Sequence, residues 1–327
     1  MKEKMLKCES VEERKYIVFD WNVIQYIKNS RTENDCDRQL SDLLPILRKK
    51  YYLPFCEVHL RDLKTSYIQS HFEMVNNDLE FLENLSQGIG LIKKNEEKCL
   101  AKCSLKTYFD YILSEEIPDI KLMPKINSIS KIDVDKLDLD NPLKPLLDKT
   151  DGVLYPYAFY LWLEEKFKTF FTEKDDYKNL RNYVQKIKND LYSISANDQY
   201  GKQLVEHVTP FFEALEITNI EELASVWKSV VDSWLKLNFS QASPNLELTL
   251  LISYALLDFH PCFHEKIKNK NKLDNLVRDA KMIYYASSSE FFVTEDSSCY
   301  KKAKFIFSVY GIKTKVVKIE EFTRRFI

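Results

Sequence analysis

Glycine is scarce: five in 327 residues. Neither a GxGxxG fingerprint nor a GxxxxGK[ST] loop occurs, so nucleotide binding through a glycine-rich phosphate cradle is excluded as a reading. Long apolar runs are missing too. The stretches near 153–163 and 248–259 are interrupted or too short for a bilayer span, which needs ~20 apolar residues. This reading expects no membrane partner. The first fourteen residues are charged throughout, unlike the apolar core of a secretory signal. Cysteines number seven, an odd count without framework spacing, which predicts reduced thiols in a cytoplasmic protein. A strong charge of either sign is also lacking, the formal net charge being −2. Its distribution is uneven. Residues 264–327 carry fourteen Lys and Arg against eight Asp and Glu, whereas 86–263 carry twenty-one against twenty-seven. A basic C-terminal segment beside an acidic middle permits phosphate-backbone contact without requiring it.

What is present is an organising stretch near the N-terminus, Lys15-Tyr-Ile-Val-Phe-Asp20-Trp-Asn22. Tyr16 to Phe19 form a short apolar run suited to a strand buried on both faces. Asp20 then falls at its C-terminal end, and Val23–Lys28 continues with helical spacing. Such an acid can cap the helix or carry chemistry at a sheet edge. Helical patterns follow over 37–50 and 57–70, separated by an apolar segment at 51–56, and a further helix is expected over 96–116. The stretch 118–148 reads as a long loop, and 150–263 as a run of helices broken near 174, 195–198, 218 and 243–244. The tryptophans there read as core. The last sixty residues return to alternation: helix 274–286, strand 290–293, helix 297–310 closed by Gly311, strand 312–317. A sheet that starts at one end of the chain and resumes at the other predicts an α/β fold built from 1–85 with 265–327. An all-helical insertion would occupy 86–264.

Four acids stand where a sheet edge or an inward helix face presents them: Asp20, Asp62, Asp279 and Asp296. Taken singly, each is explained by a cap, a turn or a salt bridge. Taken in order, Val-Phe-Asp20-x-Asn22, His59-Leu-Arg-Asp62-Leu63, Asp279-Ala280 and Phe-Val-Thr294-x-Asp296 resemble the PIN domain, a superfamily of metal-dependent nucleases. The resemblance covers less than half the chain. It implies a three-layer core around a central, mostly parallel sheet, with Asp20, Asp62, Asp279 and Asp296 as metal-binding and catalytic carboxylates. Asn22 and Thr294 would support them, and Glu57 and Glu295 are nearby acids able to substitute. Asp62 stands where the family usually has Glu, one methylene longer. Oxygen-only ligands favour Mg²⁺ or Mn²⁺, which would stabilise charge on the oxygens of a phosphodiester under hydrolysis.

The implied activity is hydrolysis of nucleic acid, with RNA as the favoured substrate. Rival readings are a catalytically silent PIN-like module that binds a protein or nucleic acid through its insertion, and a nuclease acting on structured DNA. Lys266, Lys268, Lys270 and Lys272 precede the Asp279 helix. They read as a solvated face or as phosphate contacts. A zinc site from Cys99, Cys103, His260, Cys262 and His264 has no common ligand spacing, and a Cys56–His59 nucleophilic pair lacks an orienting group.

Overall fold

The structure, a computed structural model, describes residues 9–11, 14–32, 34–68, 71–94, 97–114, 130–131, 148, 153–154, 199–238, 245–263 and 273–327. Two compact units emerge: Met1–Asp119 with Lys281–Ile327, and Ile120–Ala280.

In the first unit the chain runs β1 (Glu9–Ser10), β2 (Ile17–Phe19), α1 (Trp21–Lys28), α2 (Asp35–Lys50), β3 (Phe55–Cys56), α3 (Glu57–Ile68), α4 (Phe72–Ser86), β4 (Ile89–Lys94), β5 (Glu97–Lys102) and α5 (Leu105–Ser114). The second unit supplies β6 (Ser130–Lys131), β7 (Val153–Leu154), α6 (Gln199–Ala214), α7 (Ile220–Asn238) and α8 (Leu246–Leu257). Helix α9 (Leu273–Ala286) runs from the second unit into the first, followed by β8 (Phe291–Val293), α10 (Ser297–Val309), β9 (Lys315–Val317) and α11 (Ile319–Thr323).

Strand β2 is buried along its whole length, as its unbroken apolar sequence requires. It pairs in parallel with β8, and β8 in parallel with β9, in a register that aligns Ile17 with Phe291 and Lys315, and Phe19 with Val293 and Val317. All three strands therefore end level. On the other side of β2, Tyr16 makes a parallel bridge to Tyr52, with Ile17 N–H donating to the Tyr52 carbonyl at 3.0 Å and Tyr52 N–H to that of Lys15 at 3.0 Å. That bridge brings in β3, which pairs in parallel with β4. Strands β5 and β1 add antiparallel beyond β4. The parallel order is thus β4-β3-β2-β8-β9, with chain order reversing direction at β2. In open α/β sheets, such a switch point opens a crevice at the C-terminal strand ends, where ligands bind.

The core of this unit is continuous across the sheet, from Ile17, Phe19 and Ile24 to Leu40, Phe55, Leu60, Leu82, Phe291 and Phe322. Helix α10 ends in a Schellman turn: Ile312 N–H reaches the Phe307 carbonyl at 2.8 Å and Gly311, at φ 64°, supplies the left-handed residue.

Several expectations are corrected. The helix expected over 96–116 is a strand followed by a shorter helix, because Glu97–Lys102 completes a hairpin with β4 and tertiary pairing overrides local helical propensity. This places 86–114 in the first unit rather than in an insertion starting at 86. The second unit is not all-helical either, since β6 and β7 pair antiparallel, Ser130 with Leu154 and Lys131 with Val153. Reduced thiols are found at Cys36, Cys56, Cys99, Cys262 and Cys299. Cys103 departs from that expectation and is disulfide-bonded; cysteine spacing carries no information about which strands become neighbours. Among the described residues, no helix is long and apolar enough to cross a membrane.

The hairpin explains one glycine. A Cβ at Gly90 would lie 2.8 Å from Cζ of the buried Phe55 ring. Gly90→Ala is expected to destabilise the protein by about 2 kcal/mol through overpacking, measured by urea unfolding. A smaller second change, Phe55→Leu, should recover part of that loss; no recovery would place the strain elsewhere.

Within the second unit, Trp227 is fully buried and its indole N–H donates to the Ser253 hydroxyl at 2.8 Å. His260 is also buried. Its Nδ1 accepts the Cys262 amide at 3.1 Å, so Nε2 carries the proton and donates to the Ala214 carbonyl at 3.1 Å. With both ring nitrogens used, His260 acts as a packed core histidine rather than a metal ligand.

Candidate functional site

Level strand ends bring the residues that follow β2, β8 and β9 side by side. Asp20 follows β2, Thr294-Glu295-Asp296 follows β8, and Lys318 follows β9. The sheet ladder continues one step past the strands: Asp20 N–H donates to the Val293 carbonyl at 2.9 Å and Thr294 N–H to that of Val317 at 3.1 Å.

The side chains then interlock. Thr294, fully buried, donates its hydroxyl to Asp20 Oδ2 at 2.6 Å and accepts the Asp296 amide at 3.2 Å. Asp20 Oδ1 caps α1 through the Trp21 amide at 2.7 Å. Asp296 Oδ1 caps α10 by accepting from Ser298 and Cys299 at 2.8 and 2.7 Å. Each acid therefore does what a cap does, and each remains partly exposed. Burial pushes the Asp20 carboxyl above its ordinary range, against the hydrogen bonds from Thr294 and Trp21. The neighbouring charge of Asp296 raises it further, and Lys318 opposes that.

Glu295 turns to a structural task. Its Oε1 accepts the Ile319 amide at 2.9 Å, its Oε2 faces Arg31 at 3.3 Å, and its carbonyl accepts from Lys318 Nζ at 2.5 Å. Arg31 in turn grips the fully buried Asp37 with two bonds of 2.8 and 2.7 Å and lies 4.0 Å over the Tyr26 ring. Burial alone would push the Asp37 carboxyl up, but Arg31 outweighs it and holds it below the usual range. This chain of contacts ties the turn after β8 to the loop after α1 and to α11.

His59 fastens the edge from beneath. It is fully buried. Its Nδ1 accepts the Cys56 amide at 3.2 Å, so Nε2 bears the proton and donates to the Phe19 carbonyl at 2.9 Å, one residue before Asp20. Desolvation drives its pKa down to about 4, leaving a neutral imidazole. Burial pushes the neighbouring Cys56 thiol up to about 12, so that sulfur is no nucleophile at neutral pH.

The remaining expected residues are placed as follows. Asn22 is exposed on α1. Asp62 is partly exposed on α3, where its charge acts on the Cys56 thiol. Glu57 pairs with Arg61 and accepts from the Tyr285 hydroxyl at 3.3 Å. Asp279 lies in the part of α9 that belongs to the second unit, its Oδ2 facing the Tyr254 hydroxyl at 3.4 Å. Lys266, Lys268, Lys270 and Lys272 lie outside the described residues. The structure thus joins Asp20, Thr294 and Asp296, and directs Glu57 and Glu295 to partners of their own. Among the described residues, no group of three or more His, Cys, Asp or Glu is arranged to hold a metal ion. Sequence reasoning missed Lys318 and Arg31. For Lys318 a signal existed, because it follows β9 as Asp20 follows β2.

Comparison with family models, curated proteins and solved structures returns no match.

Proposed function

We propose that the chain is a metal-dependent, PIN-like nuclease acting on RNA, with its centre at the C-terminal edge of β2 and β8. The observation that carries this reading is the Asp20–Thr294–Asp296 constellation at the sheet's switch point, where the Thr294 hydroxyl donates to the Asp20 carboxylate and accepts the backbone amide of Asp296, setting two partly exposed acids after adjacent parallel strands.

The donor set suits a hard divalent cation. Asp20 sits beside Asp296 with its carboxyl raised by burial, so a cation there would relieve both desolvation and repulsion. Asp20 and Asp296 would hold Mg²⁺ or Mn²⁺, with Asp62 of the same unit as a further acid. The bound ion would polarise the phosphodiester and lower the pKa of an attacking water. Thr294 holds Asp20 in one orientation through its 2.6 Å bond. The Glu295 contacts hold the turn that carries Asp296, and His59 holds the backbone before Asp20. Ile120–Ala280 would dock a protein partner.

The rival is a catalytically silent PIN-like module. The lack of a three-ligand group among the described residues favours it. Incubating the purified protein with end-labelled RNA and DNA, in Mn²⁺ or in EDTA, separates the readings. Mn²⁺-dependent cleavage of RNA is the expected result. Cleavage of structured DNA alone would replace RNA as the substrate, and no cleavage of either would leave the silent module.

A further inference from the structure

Beside the acid edge lies a face that combines an aromatic ring with cations. Tyr300 sits in the second turn of α10, its amide bonded to the Asp296 carbonyl at 2.9 Å. Lys318 Nζ is 5.2 Å from the centre of its ring. Lys304 Nζ is 4.8 Å from the same centre and donates to the tyrosine hydroxyl at 2.9 Å. Beyond Lys304, a groove of about 300 Å³ runs along β9 and takes in Lys315 and Arg325. Glu321 accepts from the Tyr300 hydroxyl at 3.0 Å, and Glu290 pairs with Lys315 at 3.3 Å. Lys318, Lys304, Lys315 and Arg325 thus follow one another along this face, beginning at Lys318, the residue whose charge already bears on Asp20.

We propose that this face binds single-stranded nucleic acid. The strand leaves the acid edge across Tyr300, with Lys318 and Lys304 contacting its phosphates and an unpaired base stacking on the ring. The inference rests on the nuclease reading for the location of the scissile bond, but binding is measured separately from cleavage. The chemistry favours a single strand over other polyanions. Lysines on flexible stems follow a backbone without reading sequence, and an aromatic ring among them gives any unpaired base a stacking surface that a duplex cannot use. Lys318 spends one of its three N–H donors on the Glu295 carbonyl, which leaves two for a phosphate oxygen. Lys304 is exposed and its hydroxyl contact is exchangeable.

The test uses the full-length Asp20→Asn protein in EDTA, a labelled oligouridylate, and fluorescence anisotropy at several salt concentrations. Replacing Lys304 and Lys318 together by Met should weaken binding at least tenfold and flatten the log–log salt slope by about 0.7 per lost contact. Tyr300→Leu should weaken binding by about tenfold, whereas Tyr300→Phe keeps the ring and binds nearly as the parent does. Lys49 and Lys50, exposed on α2, provide the control pair and should not matter. Because Lys318 also steadies the turn at Glu295, Lys304→Met alone, at an exposed position, shows the same effect at half the slope change. Parental affinity in the Lys304 and Tyr300→Leu variants overturns the proposal. So does a duplex or an acidic protein that binds as tightly as the single strand. Loss of binding in these variants, with no cleavage by the wild type, would sink the nuclease reading and leave this surface standing.

Discussion

Asp20→Asn is expected to abolish the proposed nuclease activity and to leave the protein folded. The substitution keeps the volume and an oxygen that can cap α1, but removes a charge from the edge at which Asp296 also sits. If a metal ion supplies several kcal/mol of transition-state stabilisation there, losing one ligand lowers the rate by roughly 10³-fold or more. Stability moves the other way. Burial raises the Asp20 carboxyl, so its ionised form is held less well in the native state than in the unfolded chain. An acid shifted in that direction contributes most below its unfolded pKa and loses that contribution as pH rises through the folded value. At neutral pH the uncharged Asn is therefore expected to leave the thermal midpoint unchanged or to raise it. A variant that cleaves like the wild type would remove Asp20 from the site. One that melts markedly earlier would make the carboxylate structural.

Acid should loosen the first unit through His59. The imidazole is neutral when folded, its pKa driven by burial to about 4 from an ordinary 6.5. Between those values the unfolded chain binds the proton more readily, so the stability His59 contributes is complete above pH 6.5 and drains away as the pH falls toward 4. The difference corresponds to about 3 kcal/mol at pH 4. Urea unfolding at pH 7, 5.5 and 4 measures it. His59→Gln offers a donor for the Phe19 carbonyl but cannot take up a proton, and its stability should fall less steeply over this range by that amount. Parallel curves for the two proteins would show that the proton goes elsewhere.

Much of the edge was legible in the sequence because it depends on local rules. Asp20 and Asp296 each follow a short apolar strand and precede a helix, so capping preference and strand burial both point to the same residues. Gly311 marked the end of α10 for an equally local reason. Features set by distant pairing were not legible. Nothing in Glu97–Lys102 announces that it will form a hairpin with β4, since its helical spacing was as good as its alternation. Glu295 looked like a spare ligand by position alone. Its actual partners, Arg31 and Ile319, lie 264 and 24 residues away. His59 stands at the head of the Asp62 motif, yet its fixed tautomer depends on the Cys56 amide and the Phe19 carbonyl meeting one buried ring.

The pairing of β2 with β8 has a consequence in time. Ile17 meets Phe291 across 274 intervening steps of chain, and Val317 completes the next strand. Domains fold as units and in step with synthesis, and contacts this distant in sequence form late. Until Phe291–Val293 has been synthesised, β2 waits without its partner and Asp20 has no Thr294 to hold it. The two acids first face each other once β8 and the residues after it have emerged from the ribosome. Until then the nascent chain, surrounded by ribosomal and messenger RNA, carries no assembled acid edge.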